Sequence, residues 1–230
     1  MMKSYFGLLI LLLLIIAFET SAFPQNLSGK LEKVPKGTGP NFSEIKTDEV
    51  ENQPNLTCLF MVDLQSLGID RPAITTYQKF FNFGLLVASK LNDVSKFTGF
   101  MDTFGYNSGL NDHNTFPVYS YQNFKTIPFP IDDTNDDIDL DLKDLDRSLR
   151  KAHWVPAAME HTCLILFSAA PESNYGGTVI QTTYHAFTTV IGVLVGEGTN
   201  SIPGLTDPVS ATTLSDADAQ AVVQKLLASL

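Results

Sequence analysis

Two short apolar runs constrain this chain more than any other feature: TCLFMV at positions 57–62 and TCLILF at 162–167. Neither alternates apolar with polar residues, so neither suits a sheet with one wet face. Continuous runs of this length fit parallel strands covered on both sides. Between them, AITTYQKFFNFGLLVASKL (73–91) sets Tyr77, Phe80, Phe81, Leu85, Val87, Ala88 and Leu91 mainly three and four residues apart. That spacing predicts an amphipathic helix, with Pro72 in its first turn.

The rest of the chain continues the pattern. KFTGFMDTFG (96–105) reads as a strand, and 118–127 alternates enough for two shorter strands or a hairpin. Leu142, Leu145, Leu149 and Ala152 make one stripe of a helix predicted over 140–153. FTTVIGVLV (187–195) is a third strong strand, and a short one is expected near 209–214. The C-terminal segment 215–230 has Ser215 as an N-cap, acids in the first turn and a core stripe from Ala219 to Leu230. Strands alternating with helices predict an α/β fold, doubly wound, with a mostly parallel central sheet flanked by helices. Ligands of such sheets sit beyond the carboxyl ends of the strands, which is where Asp63 and Ser168 fall.

The N-terminus, MMKSYFGLLILLLLIIAFETSAFPQ, carries one lysine and an apolar run from Leu8 to Ala17, shorter than the roughly 20 residues that cross a bilayer. It predicts a signal peptide over 1–22. Positions 23–54 are rich in Pro, Gly, Lys, Glu and Asn and bury too little apolar surface to fold. They predict a flexible, N-glycosylatable tail before a single domain at 55–230. Three acceptor sequons begin at Asn26, Asn41 and Asn55. The expected mature product is extracellular, with no membrane insertion after signal removal. A net charge of −10 and a pI near 4.7 argue against a nucleic-acid partner, which needs a basic footprint.

In order and spacing, these segments resemble a von Willebrand factor type A domain over roughly 57–230. FMVDLQSLG looks like that family's first strand and metal loop, and KFTGFMDTFG is similar to its second strand. CLILFSAA occupies the place of the strand ending Thr-Asp-Gly, FTTVIGVLVGEG looks like the Val-x-Gly-Val-x-Gly strand, and LSDADAQAVVQKLLASL like the closing helix. The chain looks like a divergent single-domain member, of the kind found among secreted nematode proteins. The resemblance implies a divalent ion held by Asp-x-Ser-x-Ser, a loop threonine and the Asp of Thr-Asp-Gly.

Carried over by position, Asp63 matches the first aspartate, but Gln65 and Leu67 stand at the two serines. Ser66 lies between them, where strand alternation aims it elsewhere. Ser168, Ala169 and Ala170 replace Thr-Asp-Gly, and the loop threonine has no counterpart. The loss of a carboxylate and two hydroxyls removes most of the oxygen ligands a hard cation needs. The site is expected to be empty of metal and the chain to need no cofactor, with Asp63 capping loop amides. Asp63, Ser66 and Asp102 are the residual candidates for a metal-dependent alternative.

Cys58 and Cys163 are the two cysteines, an even pair in a secreted chain. The family order sets their strands side by side, although adjacent parallel strands can diverge at Cβ. A disulfide is expected, two buried free thiols being the alternative. The histidines, His113, His153, His161 and His185, show no zinc spacing, and no Gly-x-Ser-x-Gly elbow is present. The acidic run DDTNDDIDLDLKDLD (132–146) partly imitates a calcium loop, with Asp133, Asn135, Asp137 and Asp139 at alternate positions. It lacks that motif's glycine and final glutamate. It is read as a solvated loop leading into a helix, with calcium binding the alternative. Trp154 is read as packing over the helix end, and Tyr106, Tyr119 and Tyr121 as candidates for an interaction surface. The chain is expected to be a non-enzymatic adhesion or recognition module for an extracellular protein or glycan.

Overall fold

The computed structural model describes residues 53–106, 108–110, 117–131, 138–153, 161–199 and 201–230. The expected leader at 1–22, the tail up to residue 52 with Asn26 and Asn41, and His113, Asp133, Asn135, Asp137 and Trp154 lie outside the described residues. In chain order the elements are β1 (Asn55–Leu64), α1 (Arg71–Val94), β2 (Lys96–Tyr106), β3 (Tyr119–Ser120) and α2 (Tyr121–Phe124). There follow β4 (Ile138–Leu140), α3 (Leu142–Lys151), β5 (His161–Ser168), β6 (Thr189–Leu194), β7 (Val209–Ser210) and α4 (Asp216–Leu227).

Among the described residues the strands form one sheet in the order β3-β2-β1-β5-β6-β7, with β4 also on β2. The neighbours from β2 through β7 pair in parallel, and only β3 and β4 run antiparallel. This is the mostly parallel α/β sheet flanked by helices that the alternation of segments predicts.

Both faces of the sheet are covered, which explains why β1 and β5 read as unbroken apolar runs. In β1, Leu56, Cys58, Phe60 and Val62 face one layer and Leu59 and Met61 the other; in β5, Cys163, Ile165 and Phe167 oppose Leu164 and Leu166. The first face packs under α1 (Tyr77, Phe80, Phe81) and α4 (Ala219, Val222, Val223, Leu226), the second under the Leu142, Leu145 and Leu149 stripe of α3. Each large side chain fully buried this way contributes roughly 2 kcal/mol. Phe60 anchors the first layer, its ring 5.1 Å from Phe124 and 5.8 Å from Phe167.

Local signals place the helix starts. Asp70 accepts the Ala73 amide at 2.9 Å, and Ser215 forms a reciprocal capping box with Asp218. The helix expected from residue 140 begins at Leu142, because Ile138–Leu140 pairs with β2 and Asp141 caps the helix after it. The expected strands over 118–127 are a second correction. Only Tyr119–Ser120 pairs, and the chain then turns helically so that Tyr121 and Phe124, three residues apart, both reach Phe97. Packing of two aromatic rings outweighs a weak alternation of polar residues.

Cys58 lies directly opposite Cys163 in the β1–β5 register, with Cα atoms 4.4 Å apart, and the two form a disulfide inside the first-face core. Of the two alternatives open to the cysteines, the bonded one is present. Structural disulfides persist in oxidising compartments. Among the described residues no helix is long and apolar enough to cross a membrane.

Candidate functional site at the carboxyl edge of the sheet

Past Leu64 the chain leaves the sheet and folds back. The Gly68 amide donates to the Gln65 carbonyl at 3.1 Å, and Gly68 takes a φ of +84°, which its missing Cβ makes easy. The turn closes on Asp63. Its Oδ1 accepts the amides of Gln65 (3.0 Å) and Ser66 (2.9 Å); its Oδ2 accepts the Ser66 hydroxyl (2.6 Å) and, from the end of β5, the Ala169 amide (2.8 Å). Strand alternation stops applying once the chain turns, so Ser66 points at Asp63 rather than away from it, which corrects the sequence expectation. The spacing of an aspartate to a serine three residues on is itself a turn signal that could have found this bond.

Asp63 is therefore fully buried and fully partnered. Burial pushes its carboxyl above the usual carboxylate range, more than the bonds from Ser66, Gln65 and Ala169 draw it down. Where the resembled family carries a second aspartate, Ala169 supplies an N–H to the first one. Thr199 ties the same turn from beyond β6, its hydroxyl donating to the Ala169 carbonyl at 2.8 Å.

Two tyrosines that sequence reasoning assigned no polar role complete the edge. Tyr77, on the buried stripe of α1, accepts the Leu67 amide at 2.7 Å and donates to the Gly68 carbonyl at 3.0 Å. Tyr175 donates to Ser168 Oγ at 2.8 Å. Burial first, with the Asp63 charge adding to it, raises both phenols, so both stay hydroxyl donors. A helical stripe marks Tyr77 as buried, but nothing in it says where the hydroxyl goes. The result is a loop locked at its base whose tip displays Leu67 (43% exposed) and Ile69 (53% exposed).

Asp102 does not join this group. It sits opposite Met61, whereas Asp63 pairs with Phe104, two residues further along β2. Its Oδ1 accepts the amides of Thr103 (2.8 Å) and Gly109 (2.7 Å), while Oδ2 is buried and has no partner among the described residues. Burial, with a smaller push from Asp139, lifts its carboxyl to about 6, against the two amide bonds.

A folded-state value above the unfolded one of about 3.9 means that the native protein binds more protons between the two. The stability this supplies is fully present below about pH 3.9 and lost as pH rises through about 6. Asp102→Asn should accordingly gain on the wild type by about 2 kcal/mol between pH 4 and pH 7.5 in urea titrations. A difference between the two proteins that stays constant with pH would show that the carboxyl is not held protonated.

The remaining sequence candidates are dispersed. Asn55 is exposed at the first position of β1, while Thr57 of the same sequon is buried with its hydroxyl 2.6 Å from that of Thr98. Tyr106 is buried rather than displayed, and Tyr119 and Tyr121 are half-buried. His153 and His185, both exposed, come within 6.3 Å of each other, centroid to centroid. A cavity of about 270 Å³ lies away from Asp63, along β6, with Thr182, Thr189, Asp207 and Lys225 in its wall. Among the described residues no group of three or more His, Cys, Asp or Glu side chains could hold a metal ion together. The chain matches no protein-family model, no curated protein and no solved structure.

Proposed function

We propose that the chain is a secreted, non-enzymatic recognition module, von Willebrand factor A-like, that binds an extracellular protein through the loop following β1 with no ion at Asp63. One observation carries this reading: Leu67 and Ile69 stand exposed at the tip of a loop whose base is fixed by Asp63 and Tyr77. A loop already held in place loses little entropy on docking, and its two apolar side chains offer surface to desolvate. Each oxygen of Asp63 already accepts two hydrogen bonds, which supports a structural role for it, and the doubly wound sheet supports the family likeness. A glycan is the other partner class, although two aliphatic side chains suit a protein surface better.

Affinity capture from extracellular fluid, wild type against Leu67→Asp/Ile69→Asp, tests the reading. The expected result is a partner that the wild type retains and the double variant holds at least about tenfold more weakly. Equal retention by the variant would remove the loop as the docking surface. A complex that requires magnesium and is lost in Asp63→Ala would favour the metal-dependent adhesion alternative.

A further inference from the structure

We infer that the cavity between β6, the 202–207 turn and the end of α4 is a binding site for one carboxylate-bearing sugar ring, of the kind an acidic glycan presents. It lies toward the amino end of β6, whereas Asp63 is at the carboxyl edge of the sheet, and neither this site nor the loop after β1 rests on the other.

Three parts of the chain wall the cavity, and each is fixed by contacts within the protein. The Val190 amide donates to the Thr182 carbonyl at 3.1 Å, which holds Thr182 alongside β6. The 202–207 turn is seated on residue 180. The Ile180 amide donates to the Pro203 carbonyl at 2.8 Å, and Gly204, at a φ of +90°, lies so close to the Ile180 carbonyl that no Cβ would fit. That turn carries Thr206 and Asp207, the latter in left-handed backbone (φ +50°) that aspartate tolerates better than most residues. The end of α4 supplies Lys225 and Ser229, joined to the strand where the Thr189 hydroxyl donates to the Ser229 carbonyl at 3.4 Å.

The polar groups of this wall are not engaged with one another. The Thr182 and Thr206 hydroxyls, the Asp207 carboxylate and the Lys225 ammonium have no hydrogen-bond or ion-pair partner among the described residues. A cation in the last turn of α4 is ordinary; a half-buried one beside a concave, hydroxyl-lined space is what points to a ligand. Threonine hydroxyls donate and accept, Asp207 accepts and Lys225 donates, which together match the hydroxyls of a sugar. Ile191 and Leu205, both buried, add apolar surface for the C–H face of a ring. One carboxylate is balanced by Lys225, whereas a phosphate dianion would meet Asp207 with a single cation to offset it. The volume of about 270 Å³ is below the range of about 300–1,000 Å³ that holds drug-sized ligands, so one ring fits better than an extended chain.

The test is a titration of the full chain with sodium glucuronate, followed by amide chemical shifts in NMR, beside glucose and sodium acetate. The expected result is saturable shifts at Thr182, Thr206 and Lys225 with a dissociation constant on the order of 1 mM for glucuronate. Glucose, which lacks the carboxylate, and acetate, which lacks the ring, should each bind at least about tenfold more weakly. Lys225→Gln, which keeps most of the half-buried stem, should weaken glucuronate about tenfold and leave glucose unchanged. Ser229→Phe, at an exposed position beyond α4, fills the cavity and should abolish the shifts. No saturable shift with glucuronate, equal binding of glucose or acetate, or binding unchanged in both variants overturns the site.

Discussion

Replacing both cysteines by alanine should lower unfolding stability by about 4–5 kcal/mol, the largest single effect expected for this protein. The bond joins residues 105 positions apart, so breaking it returns to the unfolded chain the freedom of a very long loop. Domains of this kind hold about 5–15 kcal/mol in all, so the loss is a large fraction of the total. Both cysteines are fully buried between Phe60, Ile165 and their layer, and alanine keeps that site apolar. Urea denaturation of Cys58→Ala/Cys163→Ala against the oxidised wild type measures the difference. A loss below about 1 kcal/mol would show that the unfolded chain is compact enough for the cross-link to constrain little. Because neither sulfur is exposed, a mild reductant should leave the native protein oxidised and act only once urea opens the sheet.

Asp63→Ala should cost about 4 kcal/mol. The substitution strips an acceptor from three backbone amides, those of Gln65, Ser66 and Ala169, and from the Ser66 hydroxyl. Each buried donor left alone costs about 1–3 kcal/mol, less where water can enter. Asp63→Asn is expected to be intermediate, at about 2 kcal/mol, since either orientation of the amide turns its NH2 toward a backbone N–H. Hydrogen exchange separates this from a general loss of stability. The Ser66 and Ala169 amides should lose protection in Asp63→Asn before the amides in the middle of β1 do. Unchanged exchange at those two amides would mean that the loop is held by Tyr77 alone.

Much of the architecture was readable from patterns that depend on neighbours in the chain. Unbroken apolar runs mark β1, β5 and β6 because a strand covered on both faces has no need to alternate. The stripes of α1, α3 and α4, and Ser215 as a cap, follow from a period of 3.6 and from the unsatisfied amides at a helix start. Where two local signals competed, the reading went astray. In 118–127 the polar alternation is weak and the pull of Tyr121 and Phe124 onto Phe97 comes from a strand twenty or more residues away. The start of α3 was blurred because Ile138–Leu140 becomes a strand only by pairing with β2.

The candidate site was legible only in outline. Asp63 could be placed at the carboxyl edge from the apolar run that it ends, and the substitutions at Gln65, Leu67 and Ala169 could be read off position by position. The identity of its four donors could not. Three of them come from a turn whose shape overrides strand alternation, and the fourth from a residue 106 positions away.

Residue order and apolar spacing were enough to establish the layered α/β plan, because each strand and helix must bury its own stripe whatever its neighbours are. Strand register and loop closure required the assembled sheet. They bring Cys58 opposite Cys163, turn Tyr77 and Ala169 toward the loop at Asp63, and leave one buried oxygen of Asp102 without a donor among the described residues. Hydrogen bonds and charge contacts act over a few ångströms between residues far apart in sequence, and only the packed fold sets those distances.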